Sequence, residues 1–180
     1  MEITQQADYA IRAVLELALH AQDAQDTRVF SGEIARRQGI PAAFLTKILA
    51  RLAAAGIVAT QRGVNGGIRL TRPPDQVTLL QVVEAIDGPI TLNRCVRDPR
   101  ACGRSMGCVV HPIWAAICSD LRARLDACDF GGLAADARAR LNTGGDLGFC
   151  AIEQLTEMPL TDRGGETNTD VGEIPLAESK

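Results

Sequence analysis

The stretch GIPAAFLTKILARLAAAGIVATQRGVNGGIRL, residues 39–70, contains in one run the signals that decide the fold. Gly39 is a residue type that ends helices, Pro41 is typical of the first turn of a new helix, and Gly56 ends that helix. Two short runs of β character follow, joined by GVNGG, in which the Asn-Gly pair is a strong hairpin signal. The stretch therefore predicts a turn, a helix and a two-stranded hairpin, in that order.

The helices on either side of this stretch are predicted from apolar residues spaced three and four apart. Residues 3–21 carry such a stripe, and GEIARRQ forms a short helix that Ser31 can cap. Further helices are predicted over 78–87, from Pro112 onward, and over LAADARARL. The order of helix, short helix, turn, helix and hairpin is that of a winged helix-turn-helix.

The charge of the chain is unevenly distributed. The formal net charge is −3, yet residues 31–72 hold seven Lys or Arg and one Asp or Glu, a net +6. Residues 143–180 hold two basic and eight acidic residues, a net −6. The basic segment coincides with the helix-turn-helix pattern, so double-stranded DNA is the expected partner.

The side chains of the basic segment suit the two parts of a DNA-binding module. The helix over 41–55 combines small residues with longer polar ones, which suits a major groove, and the hairpin over 57–71 is flanked by arginines and tipped with glycine, which suits phosphates or a narrow minor groove. The alternative is a solvated helix face and an ordinary tight turn. The predicted DNA-binding residues are Ala42, Thr46, Lys47, Arg51, Arg62, Asn65, Gly66 and Arg69.

The run PIWAAICSDLRARLDAC, which begins at Pro112 and is expected to end at Gly131-Gly132, predicts a long helix with an apolar stripe. Helix-turn-helix regulators bind palindromic operators as dimers, and this helix is the candidate homodimer seam. The alternative is an ordinary core helix. Cys118 and Cys128 are expected to be small buried residues of this helix.

The sequence therefore predicts a mainly α protein with a small β-hairpin wing: a winged helix-turn-helix domain plus a long dimerisation helix. We expect the DNA-binding domain at 1–74, a cysteine loop with dimerisation helices at 75–141, and an acidic, mostly disordered tail at 142–180. No apolar run approaches the roughly 18–20 residues that cross a bilayer, and the N-terminus does not resemble a signal peptide. We therefore expect a cytoplasmic protein without a membrane partner.

The stretch RCVRDPRACGRSMGCVVH, residues 94–111, holds three of the six cysteines and one of the two histidines. It has few large apolar residues, so a bound metal would supply order that the segment cannot supply itself. In a cytoplasmic protein such clustered cysteines are more often metal ligands or redox centres than structural disulfides. Cys95, Cys102 and Cys108 are therefore candidate ligands of an iron–sulfur cluster, and four nearby arginines would offset its negative charge.

Other roles for these cysteines stay open on the residues alone. Three Cys and one His suit a structural zinc site, although zinc modules usually begin with a tighter Cys pair. Two of the thiols could form a reversible disulfide, as in a thiol switch, or all three could be idle on a surface loop. A small iron–sulfur electron-transfer protein is a further alternative, although it would not need the wing. The sequence contains no nucleophile–base pair or phosphate-binding loop, so an enzyme is not expected.

Together these motifs resemble the Rrf2 family of bacterial transcription regulators over about residues 1–140. The matching pieces are the opening ITQQADYAIRAVLELA, the turn and helix GIPAAFLTKILARLAAAGIV, the wing RGVNGGIRL and the three-cysteine loop. The resemblance implies a dimeric winged-helix regulator, expected to be a repressor. Its iron–sulfur cluster would sense nitric oxide, oxygen, redox state or iron status.

The resemblance also implies two alternatives for the fourth cluster ligand. In the branch that regulates cluster assembly, a histidine three residues after the third cysteine holds a two-iron cluster, and His111 occupies that position. In the nitric-oxide-sensitive branch, an aspartate of the partner subunit holds a four-iron cluster, and Asp8 occupies that position. The DYAIR opening and the NGGIRL wing resemble the nitric-oxide-sensitive and iron-responsive branches, whereas the CVVHPIW stretch resembles the branch that regulates cluster assembly. The cluster type therefore stays open between two and four irons.

Overall fold

The computed structural model describes residues 3–21, 28–61 and 66–143. The helices in these ranges are α1 (Gln5–Ala21), α2 (Ser31–Gln38), α3 (Ala42–Ala54), α4 (Leu79–Asp87), α5 (Arg94–Arg97), α6 (His111–Asp126) and α7 (Phe130–Asn142). The strands are β1 (Val58–Gln61) and β2 (Gly67–Leu70), paired antiparallel. The predicted mainly α class with a β-hairpin is confirmed. The predicted acidic tail lies outside the described residues from residue 144 onward.

The turn between α2 and α3 forms as the sequence predicts. Gly39 has φ 61°, a left-handed conformation that glycine adopts without strain, and its N–H donates to the Ala35 carbonyl. Ile40 is buried in the core, and Pro41 immediately precedes the first residue of α3. This turn fixes how α3 leaves α2 and therefore which face of α3 is exposed.

The start of α2 differs by one residue from the prediction. Ser31 is the first residue of the helix rather than its cap. The Phe30 carbonyl accepts hydrogen bonds from the N–H groups of Glu33 and Ile34 at 2.9 and 3.1 Å, so the helix already begins after Phe30. The Ser31 side chain is consequently exposed beside α3 and is not engaged as a cap.

The β-hairpin is extended by the segment that precedes α2. β1 and β2 pair in the register Val58↔Leu70, Ala59↔Arg69, Thr60↔Ile68 and Gln61↔Gly67. Val29 exchanges two backbone hydrogen bonds with Ile68, at 3.0 and 2.9 Å, on the other edge of β2. The residues immediately before α2 therefore anchor the hairpin to the helices.

The main core lies between α1, α3 and α7. The buried face of α1 is rich in alanine, which lets its neighbours approach closely. Phe130, at the start of α7, is the largest fully buried side chain in the described ranges. Other core residues of these helices are Ala7, Ala10, Val14, Leu17, Leu45, Ile48, Leu52 and Ala134. None of the helices in the described ranges is long and apolar enough to cross a membrane.

The prediction that Gly131-Gly132 ends the long helix is wrong. α6 ends at Asp126, and both glycines lie in the first turn of α7. The Asp129 side chain accepts a hydrogen bond from the Gly132 N–H at 2.8 Å and so caps α7. A Cβ on Gly131 would lie 3.1 Å from the backbone nitrogen of Asp75. Glycine is therefore present here for close packing and not as a helix terminator.

A smaller apolar cluster attaches α6 to α4. Leu80, Val83 and Ile90 are buried together, and Leu121 and Leu125 of α6 pack against them. α4 itself is fixed at its start by a capping box, in which the side chains of Thr78 and Gln81 bond to each other's backbone N–H. α4 thus packs against α1 and α3 as well as against α6.

Candidate nucleic-acid interface and cysteine segment

The outer face of α3 combines small and polar residues. Leu45, Ile48 and Leu52 point into the core, so the opposite face is exposed. That exposed face carries Ala42, Ala43, Thr46, Lys47 and Ala50. The Thr46 hydroxyl donates to the Ala42 carbonyl at 3.0 Å. A helix face of this kind can approach base edges closely, with Lys47 free to reach a phosphate.

Arg51 lies at the edge of this face and bonds to two other helices. Its Nη1 donates to the Ile86 carbonyl of α4 at 3.0 Å and lies 3.4 Å from Gln6 Oε1 of α1. Arg51 therefore bonds to both α1 and α4, whereas the other predicted residues of α3 face outward.

The hairpin carries a second set of polar groups. Arg69 is exposed on β2, and its Nη1 lies 3.4 Å from the Leu70 carbonyl. Gly66 is buried where the described part of the hairpin resumes. The predicted DNA-binding residues Arg62 and Asn65 lie outside the described residues.

A groove of about 420 Å³ separates α3 from the hairpin. Its polar lining comes from Ser31, Thr46, Thr60 and Gln61. Beside the hairpin, Arg28 Nη1 donates to Gln61 Oε1 at 2.8 Å. Of these residues, Thr46 alone is predicted from the sequence. The β-bridge between Val29 and Ile68, which brings the segment before α2 to the hairpin, has no local sequence signal. The exposed Phe30, 56% accessible, also borders this groove.

The cysteine segment, residues 94–111, is built from short turns. Cys95 lies on α5, Cys102 follows a 3₁₀ turn at Pro99–Ala101, and Cys108 follows another at Ser105–Gly107. Cys95 and Cys108 are half-buried and Cys102 is exposed. All five cysteines in the described ranges are free thiols. The three predicted ligands are therefore accessible and chemically available.

The predicted ligands are not assembled into one site in this structure. Within the described ranges, no three His, Cys, Asp or Glu side chains form a group that could hold a metal ion. His111 begins α6, and its buried Nδ1 has no hydrogen-bond partner in the described part of the chain. Asp8, on the first turns of α1, pairs with Arg12, with Asp8 Oδ2 2.5 Å from Arg12 Nη2.

The start of the cysteine segment is fixed to α4 and α6. The Ile90 N–H donates to Glu84 Oε1 of α4 at 3.0 Å, and the same oxygen forms an ion pair with Arg122 of α6. The Leu92 N–H donates to the Cys118 sulfur at 3.2 Å. Cys118 is thus buried as predicted, and it is also a hydrogen-bond acceptor. Cys95 therefore follows a backbone that two helices hold in place.

The prediction that Cys128 is buried on the long helix is wrong. Cys128 is exposed and lies beyond the end of α6, and its Sγ donates to the Arg124 carbonyl at 3.3 Å. α6 ends before this residue because Asp129 caps α7 immediately afterwards.

The first half of α6 exposes an apolar stripe. α6 is described in full, and Cys118 is its one buried residue. Exposed apolar side chains continue from the end of the cysteine segment along one side of the helix, namely Val110, Ile113, Trp114 and Ile117. We call these four residues the α6 stripe. A contiguous stripe of exposed apolar side chains is typical of an interaction surface.

Comparison with known proteins agrees with this architecture. Residues 3–136 match the model of the Rrf2 family, described as an iron-dependent transcriptional regulator. The HTH-type transcriptional regulator IscR of Aliivibrio salmonicida is 33% identical over 136 residues, which cover 76% of this chain and 79% of that protein.

Two solved structures share the fold. The structure of an IscR from T. potens superposes with a TM-score of 0.60 at 23% identity, covering 76% of this chain and 88% of the other. CymR, the global cysteine regulator of B. subtilis, gives a TM-score of 0.60 at 22% identity, covering 75% of this chain and 97% of the other. The winged-helix fold with its hairpin is therefore shared with regulators of transcription.

Proposed function

Because the chain belongs to the Rrf2 family and is a DNA-binding transcriptional regulator rather than an enzyme, we propose that an iron–sulfur cluster on the cysteine segment controls its DNA affinity. The proposal rests on the position of the cysteine segment. Three accessible thiols lie between α4, which packs on the DNA-binding helices, and α6. A change in the conformation of the segment can therefore alter the positions of both α4 and α6.

The donor atoms of the segment suit such a cluster. Thiolates are the usual ligands of iron–sulfur clusters, and histidine can replace cysteine on one iron. Cys95, Cys102 and Cys108 are free and lie outside the core. His111 offers a buried Nδ1 that forms no hydrogen bond with any described residue. Because the four side chains are not assembled, the segment would have to close around the cluster, which links binding to a change of backbone conformation.

Asp8 of a second copy is the alternative fourth ligand. Its carboxylate is paired with Arg12, and the two side chains are 47% and 22% exposed. Surface ion pairs of this kind contribute only about 0–1 kcal/mol, so ligation could replace the pair at small cost. When bound, the cluster would supply a centre that responds to nitric oxide, oxygen, redox state or iron supply. The chain's own part is to hold it and to offset its charge with the exposed Arg94, Arg97, Arg100 and Arg104.

Double-stranded DNA is bound through the outer face of α3 and through the hairpin. The small residues of α3 permit a close approach to base edges, and the exposed Lys47 of α3 and Arg69 of β2 supply positive charge. Arg62 and Asn65, at the hairpin tip, stay predicted contacts. We place this activity in the cytoplasm and expect the protein to act as a repressor.

The protein binds its operator as a homodimer through the α6 stripe. Ile113 is 57% exposed and Ile117 is 42% exposed, although both are large apolar residues on the outer side of a helix. A second copy that packs its own α6 on this stripe would bury it and would place two α3 helices on one palindromic site. The cysteine segment leads directly into this helix, so a cluster there could set the spacing of the two α3 helices.

The alternatives are a structural zinc ion or a thiol switch on the same cysteines. Free, accessible thiols suit both, and a zinc-loaded or oxidised segment could also control α6. These alternatives differ from the iron–sulfur proposal in colour, in metal content and in their response to oxygen.

Purification without oxygen tests the proposal. We expect a coloured protein that contains iron and sulfide, and we expect Cys102→Ser to lose both. Cys128→Ser is the matched control, because Cys128 is an exposed free thiol outside the segment, and it should keep the wild-type spectrum. A colourless, iron-free protein produced with iron available would contradict the proposal, whether it contained zinc or no metal.

The same preparation assigns the fourth ligand. Asp8→Ala and His111→Ala remove the two candidates one at a time. We expect one of them, and not the other, to change the visible spectrum of the cluster. An unchanged spectrum in both variants would exclude both candidate ligands.

A further inference from the structure

The guanidinium of Arg51 holds the last turn of α4. The final carbonyls of a helix have no partner within the helix, and Ile86 is the penultimate residue of α4. Arg51 Nη1 donates to the Ile86 carbonyl at 3.0 Å. A cation at the C-terminal end of a helix is favourable both as a hydrogen-bond donor and through the helix dipole. Arg51 therefore connects α3 to a defined point of α4.

The same turn of α4 is also connected to the start of α1. Asp87 Oδ1 accepts from the Thr4 hydroxyl at 2.6 Å, and Asp87 Oδ2 accepts from the Thr4 N–H at 3.0 Å. Gln6 Oε1 lies 3.4 Å from Arg51 Nη1. The start of α1, the last turn of α4 and Arg51 of α3 thus form one hydrogen-bonded cluster, which we call the α4 junction.

The α4 junction immediately precedes the cysteine segment in the chain. Gly88 follows Asp87 with φ 80°, and Ile90 is buried with its N–H held by Glu84. The backbone from the junction to Cys95 is therefore held at several points. A movement of the cysteine segment can be transmitted to Ile86, and Arg51 is a side chain of α3 that bonds directly to this residue.

We propose that Arg51 is a positioning residue, which links the state of the cysteine segment to the orientation of α3 and is not a DNA contact. This inference rests on the proposed function, since it assumes that a bound cluster changes the segment. It separates Arg51 from Lys47, which is one turn earlier on the same helix. Both residues are exposed, but Arg51 donates to the Ile86 carbonyl of α4 whereas Lys47 lies on the outer face of α3.

The test compares DNA binding by Arg51→Ala, Arg51→Lys and Lys47→Ala. Each protein is prepared metal-free and after loading with ferrous iron and sulfide without oxygen. The probe is a duplex that the wild-type protein has selected from a random-sequence pool. Affinity is measured over a range of salt concentrations, because a lost phosphate contact lowers the slope of log K against log salt by about one. Thermal unfolding confirms that each variant is folded.

We expect Arg51→Ala to reduce the affinity ratio between loaded and metal-free protein to near one, without changing the salt slope. Allosteric ratios are typically about 5–150-fold, so this loss is measurable. Lys47→Ala should weaken both forms equally, keep the ratio and lower the slope. Arg51→Lys should restore part of the ratio because it keeps a cation that can reach a carbonyl. If Arg51→Ala does not fold, the comparison is made with Arg51→Lys instead.

Other outcomes would overturn the inference. If Arg51→Ala keeps the full ratio, Arg51 does not link the segment to α3, and a lowered slope would identify it as a phosphate contact. If the loaded wild-type protein contains iron and sulfide but binds DNA with the same affinity as the metal-free protein, the proposed function fails. The proposed role of Arg51 then fails with it.

Discussion

At the scale of single residues, the buried carboxylate of Glu16 joins α1 to α2. Glu16 is 5% exposed and accepts hydrogen bonds from Arg37 Nη1 at 2.8 Å and from Gln38 Nε2 at 2.7 Å. The hydrogen bond to Glu16 raises the pKa of Arg37, partial burial lowers it, and the charges of Glu16 and Glu33 raise it again. The net direction is upward, so Arg37 stays charged and its contribution to stability is constant throughout the physiological pH range.

Replacing Glu16 by glutamine should destabilise the fold. Glu16→Gln keeps the shape but removes the charge that accepts from Arg37, and it places a second amide against Gln38. We expect a loss of about 1–3 kcal/mol in urea unfolding. Glu33→Gln is the matched control, because Glu33 pairs with the same arginine but is 35% exposed, and such pairs contribute about 0–1 kcal/mol. Equal losses in the two variants would contradict this role for Glu16.

Gly67 is required by a close backbone approach. Its φ is 152°, and a Cβ there would lie 2.7 Å from the Cβ of Arg28. Gly67→Ala should therefore push the hairpin away from the segment before α2 and destabilise the protein by about 1–3 kcal/mol. Gly32→Ala is the control, because Gly32 lies in α2 with open space around it. Alanine there should raise the free energy of unfolding by about 0.5–1 kcal/mol. Thermal unfolding measures both, and a neutral Gly67→Ala would refute the close approach.

At the scale of elements, α6 has two functions along its length. Its later part packs on α4 through Leu121 and Leu125, whereas the α6 stripe in its first half is exposed. A single helix thus connects the cysteine segment, α4 and the expected dimer seam.

Placing a charge on the α6 stripe should weaken the dimer. Ile117→Glu would bury a carboxylate in the seam, and central interface residues contribute about 2 kcal/mol or more, or roughly thirtyfold in Kd. Sedimentation measures the Kd for dimerisation. Ser119→Glu, an equally charged change at an exposed residue outside the stripe, should leave it unchanged. A dimer that tolerates Ile117→Glu would place the seam elsewhere.

The sequence predicts the elements of this fold well because their signals are local. The turn at Gly39 and Pro41 is readable from residue type alone, as is the stripe of α1. The bridge from Val29 to Ile68 has no such signal, because it depends on two segments far apart in sequence. Gly131 misleads for the same reason: its close neighbour is Asp75, which only the folded chain brings near.

The candidate site is predictable in composition but not in arrangement. The cysteine spacing makes Cys95, Cys102 and Cys108 candidate ligands, and they stay predictions. Arg51 illustrates the limit of sequence reasoning, because charge and helical position predict a DNA contact but give no sign of its hydrogen bond to a carbonyl of α4. A helix face can be derived from periodicity, but the direction of a long flexible side chain depends on tertiary neighbours.

At the scale of the whole molecule, α4 packs both on α3, which carries the proposed DNA-binding face, and on α6, which carries the expected dimer seam. The cysteine segment joins α4 to α6 in sequence, and hydrogen bonds from Ile90 and Leu92 join it to both helices in space. We therefore expect the DNA affinity to depend on the chemical state of the cysteine segment.

The most direct test is the affinity of one operator duplex for loaded and metal-free protein, measured by fluorescence anisotropy without oxygen. We expect the two affinities of the wild-type protein to differ by about 5–150-fold. The salt slope should be the same in both forms because the phosphate contacts are unchanged. Cys102→Ser, which cannot complete the site, should show no difference, and Cys128→Ser should behave as wild type. Equal affinities of loaded and metal-free wild-type protein would show that a cluster on the cysteine segment does not control DNA binding.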